Sequence, residues 1–232
     1  MQATILLIPG MLNDPSVWDD VRPLLTPWSQ VRVLDVLPHD DLPSMAHAGW
    51  QLLADVPAQA PLLLAGFSMG GYVAQEMLAL APRALQGLLL LSTQAQPESP
   101  QSLEGRQKAI AAMQADFART VEGVLKYSMH APQPEQIERM RRMMLAIGPE
   151  RAVAQLRAIA QRRDHRALLA GSTLPMCIVC GEEDRVTPMA MSEDIARCAP
   201  QAPLTRLPGI GHMVPLQQPQ AVADALRGLL GA

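Results

Sequence analysis

The chain has 232 residues, of which 49% are hydrophobic and 18% charged, with a formal net charge of −3 and a sequence pI near 5.9. That composition excludes a disordered chain, and the mild acidity argues against a nucleic-acid footprint. No run approaches the 18 consecutive apolar residues of a membrane span, and a chain this long buries roughly 70–75% of its unfolded surface, enough for a core without disulfide or metal staples.

The opening MQATILLIPG carries no basic segment ahead of its short apolar run. It is expected to be a strand, Thr4–Ile8, rather than a secretory leader. A helix is expected from Asp14-Pro15 to about Leu25, since Asp can cap and Pro can occupy the first turn. A strand over Val31–Val36 and a helix over Met45–Val56 follow. Leu62–Ala65 and Gly87–Leu91 are apolar at almost every position, as in strands covered on both faces. Between them, Gly70–Leu80 reads as a helix. The remaining strands are Met176–Cys180 and Leu204–Leu207, and the remaining helices Met189–Cys198 and Ala221–Leu230. This alternation predicts an α/β fold: a mostly parallel sheet of about six strands with helices on both faces.

The rhythm breaks between residues 96 and 170. Leu103, Ile110, Met113, Phe117, Val121 and Val124 recur at helical spacing, as do Ile137, Met140, Met144 and Ile147, then Val153, Leu156 and Ile159. Gly148-Pro149 marks a break and restart. Residues 1–95 and 171–232 are therefore expected to form one core, with 96–170 a helical cap inserted into it. Three cysteines, an odd number, do not suggest a disulfide framework. Cys177 and Cys180 form a C-x-x-C inside a strand, where three steps place them on opposite faces, unlike a redox pair at a helix start. A reducing cytoplasm is the expected compartment.

The densest chemical signal is Leu62-Leu63-Leu64-Ala65-Gly66-Phe67-Ser68-Met69-Gly70-Gly71. It is a buried strand, a G-x-S-x-G turn and a helix, the order that lifts a serine hydroxyl above a sheet edge. Ser68 is the candidate nucleophile. A serine hydroxyl needs a general base, and among the five histidines only His212 follows a late strand, in PGIGHMVP. His39, His47, His130 and His165 read as structural or solvated, with His130 the one that could line a pocket. The base needs an acid to hold its tautomer. After Cys177–Gly181 come Glu182, Glu183 and Asp184, and Asp184 is favoured because a short loop must aim one carboxylate back over the sheet. The oxyanion needs two backbone donors. These are expected from Met69, just after the nucleophile, and from Met11, since Pro9 has no N–H to give.

The segments GFSMGG, GEEDRVTP, GIGHMVPLQQP and LLIPGMLNDPSVWDDV together resemble the α/β-hydrolase superfamily, and in particular its small cytoplasmic esterases and enol-lactonase-like members. The resemblance covers nearly the whole chain. It implies Ser68 as nucleophile, Asp184 as acid, His212 as base, and Met11 and Met69 as oxyanion donors. It implies no metal and no organic cofactor. Relatives that cleave carbon–halogen bonds carry an aspartate at the elbow, so Ser68 argues against that chemistry. Many relatives have His-Gly where this chain has Pro9-Gly10, which removes a usual brace of the oxyanion loop. The chain also opens at the strand that usually comes third, so a shorter sheet is expected.

The reading that follows is a serine hydrolase acting on a small to medium, mostly apolar ester or lactone. Carbon–carbon bond hydrolysis or lyase chemistry on the same triad is the alternative, and a slow-turnover binding protein is another. Neither a nucleic acid nor a membrane is an expected partner. Met113, Met129, Met140, Met143 and Met144 cluster in the insertion, where methionine suits adaptable apolar walls, although most would serve simply to pack the cap. Eight arginines between Glu135 and Arg166 form a solvated face opposed by four acids, with a Glu138–Arg142 pair expected at i,i+4. One of them turning inward could bind a substrate carboxylate.

Overall fold

The computed structural model describes residues 1–231. Six parallel strands form one sheet in the order β2-β1-β3-β4-β5-β6. They are β1 (Ala3–Ile8), β2 (Ser29–Val33), β3 (Leu62–Phe67), β4 (Gly87–Leu91), β5 (Met176–Gly181) and β6 (Leu204–Leu207). Parallel neighbours need crossovers, and the helices that supply them cover both faces. Alternate strand residues separate into two cores. Ile5, Leu7, Leu63, Ala65, Leu89 and Val179 face one core, and Leu6, Ile8, Leu62, Leu64, Leu88 and Ile178 face the other. The first core is closed by α1 (Arg22–Leu25) and α10 (Pro219–Leu229), the second by α2 (Leu42–Leu52), α3 (Met69–Leu80) and α8 (Met189–Cys198).

Several element boundaries differ from the sequence expectation, among them β2, which runs Ser29–Val33 rather than Val31–Val36, and two of the differences have identifiable reasons. The single helix expected over 14–25 is divided into a 3₁₀ turn, Pro15–Trp18, and the one-turn α1. Pro23 has no N–H to continue a ladder from the first turn, so the second piece starts afresh around it. Helix α2 begins three residues early because Asp41 accepts the Ser44 N–H at 2.7 Å and caps it.

Between β4 and β5 lie α4 (Pro100–Ala115), α5 (Phe117–Ser128), α6 (Pro134–Ala160) and α7 (Arg166–Gly171). Helix α6 is interrupted at Gly148, whose φ of 81° no L side chain adopts cheaply, and resumes at Pro149. Met113, Val121, Met140, Met144, Val153 and Leu156 from these helices join the first core. Ala158, Ile159 and Leu169 join the second, so the insertion contributes side chains to both cores. All three cysteines are free thiols. Among the described residues no helix is long and apolar enough to cross a membrane.

Candidate active site

The site is assembled at the C-terminal ends of β3, β5 and β6, where three loops meet beside the inserted helices. Ser68 joins β3 to α3 with φ 53° and ψ −117°. A non-glycine residue in that region is strained, and the surroundings enforce it. Ser68 N–H donates to the Leu91 carbonyl at 2.9 Å, and the Ser68 carbonyl accepts from Gly71 N–H and Thr93 Oγ1 at 2.9 and 2.8 Å. The glycines of the elbow are required by contact. A Cβ on Gly66 would lie 2.4 Å from the Gly70 carbonyl oxygen, and one on Gly70 would lie 2.2 Å from that of Ile8.

His212 Nε2 lies 3.0 Å from Ser68 Oγ, and His212 Nδ1 lies 2.8 Å from Asp184 Oδ2. The structure thus brings together the serine, histidine and aspartate expected from sequence. The imidazole sits on the Phe67 ring with centroids 5.1 Å apart. Asp184 and His212 are both 5% exposed, whereas Glu182 and Glu183 point into solvent. The Asp184 carboxylate is held from its own loop. Its Oδ1 accepts the Val186 and Thr187 N–H groups, and its Oδ2 accepts Thr187 Oγ1–H, all at 2.9 Å. Burial alone would raise its pKa. The adjacent His212 and the two backbone donors outweigh burial and bring it below the usual carboxylate value, so it is ionised at neutral pH.

The backbone of Gly10-Met11-Leu12 passes directly over the elbow: a Cβ on Gly10 would stand 3.1 Å from Ser68 Cβ. Met11 and Met69, the expected donors, therefore flank the nucleophile from the β1 loop and from the first residue of α3. Two contributions had weak or no sequence signals. Thr187 Oγ1 reaches both Asp184 and, at 3.2 Å, His212 Nδ1; a hydroxyl three residues after the acid was a local hint. Gln155, far away in the cap, binds the Leu12 N–H and had none. Cys180 lies near Asp184, but burial pushes its thiol up to about 11, so it is not a competing nucleophile at neutral pH.

Ser68 opens into a cavity of about 780 Å³ between the loops at the strand ends and helices α4, α5 and α6. Its walls include Phe67, Tyr72, Met113, Val124, Met144, Leu156, Ile159 and Met213. Of the five clustered cap methionines, only Met113 and Met144 line it; Met129, Met140 and Met143 are packed in the first core. His130 is not a wall residue. Its backbone instead abuts the histidine loop, where a Cβ on Gly211 would lie 2.6 Å from His130 N. No arginine between Glu135 and Arg166 lines the cavity. Arg139 pairs with Asp20, Arg151 with Asp40, Arg162 with Glu98, Arg163 with Glu76 and Arg166 with Asp164. Glu138 pairs with Arg141, at i,i+3, rather than with the expected Arg142. The cations at the cavity are Arg106, Lys108 and Arg119 of α4 and α5. Among the described residues, no group of three or more His, Cys, Asp or Glu side chains is placed to hold a metal ion.

The chain is 27% identical over 236 residues to a pimeloyl-[acyl-carrier protein] methyl ester esterase of Neisseria meningitidis serogroup B, covering 96% of this chain and 91% of the relative. It is 27% identical to the enzyme of the same name from Photobacterium profundum, covering 97% and 94%. Among solved structures it superposes on a thermophilic esterase from Thermogutta terrifontis with malate bound, at a TM-score of 0.88 and 27% identity over 100% of this chain and 90% of that one. A hydrolase from Pseudomonas aeruginosa PA01 follows at 0.86 and 26%, covering 100% and 91%. The profile described as serine aminopeptidase, S33, matches residues 40–218. The chain therefore belongs to the serine aminopeptidase S33 family of hydrolases and has the α/β-hydrolase fold.

Proposed function

We propose that the protein is a carboxylic ester hydrolase that works through Ser68, His212 and Asp184 by way of an acyl-enzyme. The observation that carries this reading is the unbroken hydrogen-bond chain from Ser68 Oγ through His212 to an ionised Asp184, at the floor of a largely apolar cavity. His212 Nε2 takes the proton as Ser68 Oγ attacks the ester carbonyl, and Asp184 stabilises the imidazolium at Nδ1. The oxyanion is received by the N–H groups of Met11 and Met69, the latter at the positive end of α3. His212 returns the proton to the leaving alcohol. A water molecule, deprotonated by the same nitrogen, then releases the acid and restores Ser68.

The substrate class follows from the walls. Leu, Met, Val and Ile residues with three aromatics, Phe67, Tyr72 and Tyr127, accept an acyl chain of small to medium length, and the volume is that of a drug-sized ligand. The esterases named for a pimeloyl methyl ester act on an extended acyl chain with a small alcohol, which suits such walls. None of the eight arginines of residues 135–166 lines the cavity, and six of them are held in ion pairs, so no arginine of that stretch is placed to recognise a substrate carboxylate beside Ser68. Any cation that meets an anionic group of the substrate in this cavity comes instead from Arg106, Lys108 or Arg119.

The test combines a fluorophosphonate probe with a panel of p-nitrophenyl and methyl esters, lactones and β-diketones. Labelling that vanishes in Ser68→Ala, with turnover of acyl esters falling about 10⁴-fold or more, is expected. Equal turnover by Ser68→Ala would refute the nucleophile. Turnover of β-diketones and not esters would move the enzyme to carbon–carbon bond hydrolysis. Labelling without turnover of anything in the panel would favour a binding protein.

A further inference from the structure

The cap touches the loops of the site at two separate places. On the histidine side the contacts are mostly backbone. His212 and Met213 N–H both donate to the Ser128 carbonyl, at 2.9 and 3.2 Å, and Gln217 bridges Gly211 N–H to the His130 carbonyl. On the oxyanion side Arg139 and Met143 of α6 meet Ser16, four residues beyond Leu12, and one side chain reaches the oxyanion segment itself. Gln155 of α6, 1% exposed, accepts the Leu12 N–H on its Oε1 at 2.9 Å, across 143 residues of sequence.

The acceptor is placed where the loop needs support. Leu12 has a φ of 57°, the left-handed region that costs a non-glycine residue energy. The loop lacks other bracing at its start, since Pro9 has no N–H. Gly10 is already pressed against Ser68, so the segment is held between the elbow on one side and Gln155 on the other. Fixing the N–H of the Met11–Leu12 peptide sets the ψ of Met11 and keeps its carbonyl from turning toward the site. It also commits the Leu12 N–H, leaving Met11 as the loop's donor to an oxyanion.

Gln155 is an expensive residue for packing alone. Its Nε2 is buried without a hydrogen-bond partner, and a leucine or methionine of similar size would carry no such unsatisfied donor. What the amide supplies, and an apolar side chain does not, is the acceptor for Leu12.

We infer that Gln155 is a positioning residue: through the Leu12 N–H it holds the Met11 donor in register with Ser68, so that the oxyanion hole is complete only while the cap is seated. This rests on the proposal that Ser68 forms an acyl-enzyme stabilised by Met11 and Met69.

Three variants test it: Gln155→Leu, which removes the acceptor and keeps the volume; Gln155→Asn, which keeps the amide one methylene too short; and Gln155→Glu, which keeps an acceptor oxygen in place. Steady-state kinetics on a p-nitrophenyl acyl ester and inhibition by a trifluoromethyl ketone, which mimics the tetrahedral oxyanion, are measured for each. Gln155→Leu and Gln155→Asn should lose about 10–100-fold in kcat with KM changed less than about threefold, somewhat less than deleting an oxyanion donor outright. The ketone should weaken in parallel. Gln155→Glu should retain kcat within about tenfold and exceed both other variants. The Asn variant keeps the experiment decisive if the Leu variant does not fold. Wild-type kcat and ketone affinity in Gln155→Asn, or a loss confined to KM, would overturn the inference while leaving the esterase intact. A wild type with no Ser68-dependent ester turnover would instead overturn the function reading, and this one with it.

Discussion

Asp184→Asn should cost about 10⁴-fold in kcat, ~5 kcal/mol of transition-state stabilisation, with KM and fold nearly unchanged. The structure dictates the direction. Asp184 Oδ1 accepts two backbone N–H groups, from Val186 and Thr187, at 2.9 Å each. In the asparagine variant only the amide oxygen can occupy that position, because an NH₂ group there would face two donors. The NH₂ is then forced into the place of Oδ2, 2.8 Å from His212 Nδ1. It donates to Nδ1, so the imidazole proton must move to Nε2, the nitrogen 3.0 Å from Ser68 Oγ. A protonated Nε2 cannot accept the serine proton. The charge that stabilises the imidazolium is also gone. Single-turnover ester cleavage and the rate of fluorophosphonate labelling should fall together, since both require the same proton transfer. Glu182→Gln and Glu183→Gln, both in solvent, should stay within about threefold of wild type, because exposed carboxylates beside a site contribute little. An Asp184→Asn enzyme within tenfold of wild type, or a larger loss at Glu183, would refute the assignment.

The pH profile of kcat/KM should show one acid limb, falling about tenfold per pH unit as the base is protonated; a rate flat through the acid range would remove His212 from that role. EDTA should leave the rate unchanged, because the three side chains and two backbone donors account for every step; loss restored by a divalent ion would require a different mechanism. Glu76→Gln should destabilise the fold in a pH-dependent way. Burial would raise the Glu76 carboxyl, but hydrogen bonds from His165 and Arg163 bring it from 4.5 down to about 2. A lowered carboxylate stabilises the fold above its ordinary pKa, and the effect is lost as pH falls from about 4.5 to 2. The Tm gap between wild type and variant should therefore be wide at pH 7 and close toward pH 2, and a constant gap would contradict the pairing.

Much of the candidate site was legible because its constraints are local. Gly66 and Gly70 are dictated by backbone atoms of the same turn or the adjoining strand, at distances that no side chain tolerates. The preference for Asp184 over its glutamate neighbours also has a local cause. Its short side chain folds back on the N–H groups two and three residues ahead, which the longer glutamates do not match. The opening helix was misjudged because its Asp-Pro start is a true cap signal, but a second proline stands eight residues later. The pairing of Glu138 was misjudged because two arginines stood at permitted spacings, and Glu122 on α5 draws Arg141 into the same cluster.

Sequence alone determined the alternation of buried strands and helices, the strained turn at Ser68 and the order of serine, aspartate and histidine along the chain. Each is a property of near neighbours: hydrophobic period, glycine sterics and loop length. Tertiary structure decided which cap side chains serve the site. The period of α6 identifies its apolar face but not the roll of the helix over the sheet, which depends on the break at Gly148 and on pairs such as Arg162 with Glu98 and Arg163 with Glu76. That roll sends the arginines outward, brings Met144, Leu156 and Ile159 to the cavity, and places Gln155 on the Leu12 N–H. A hydrogen bond between residues 143 positions apart is set by how two packed surfaces meet, and no local pattern in either segment encodes it.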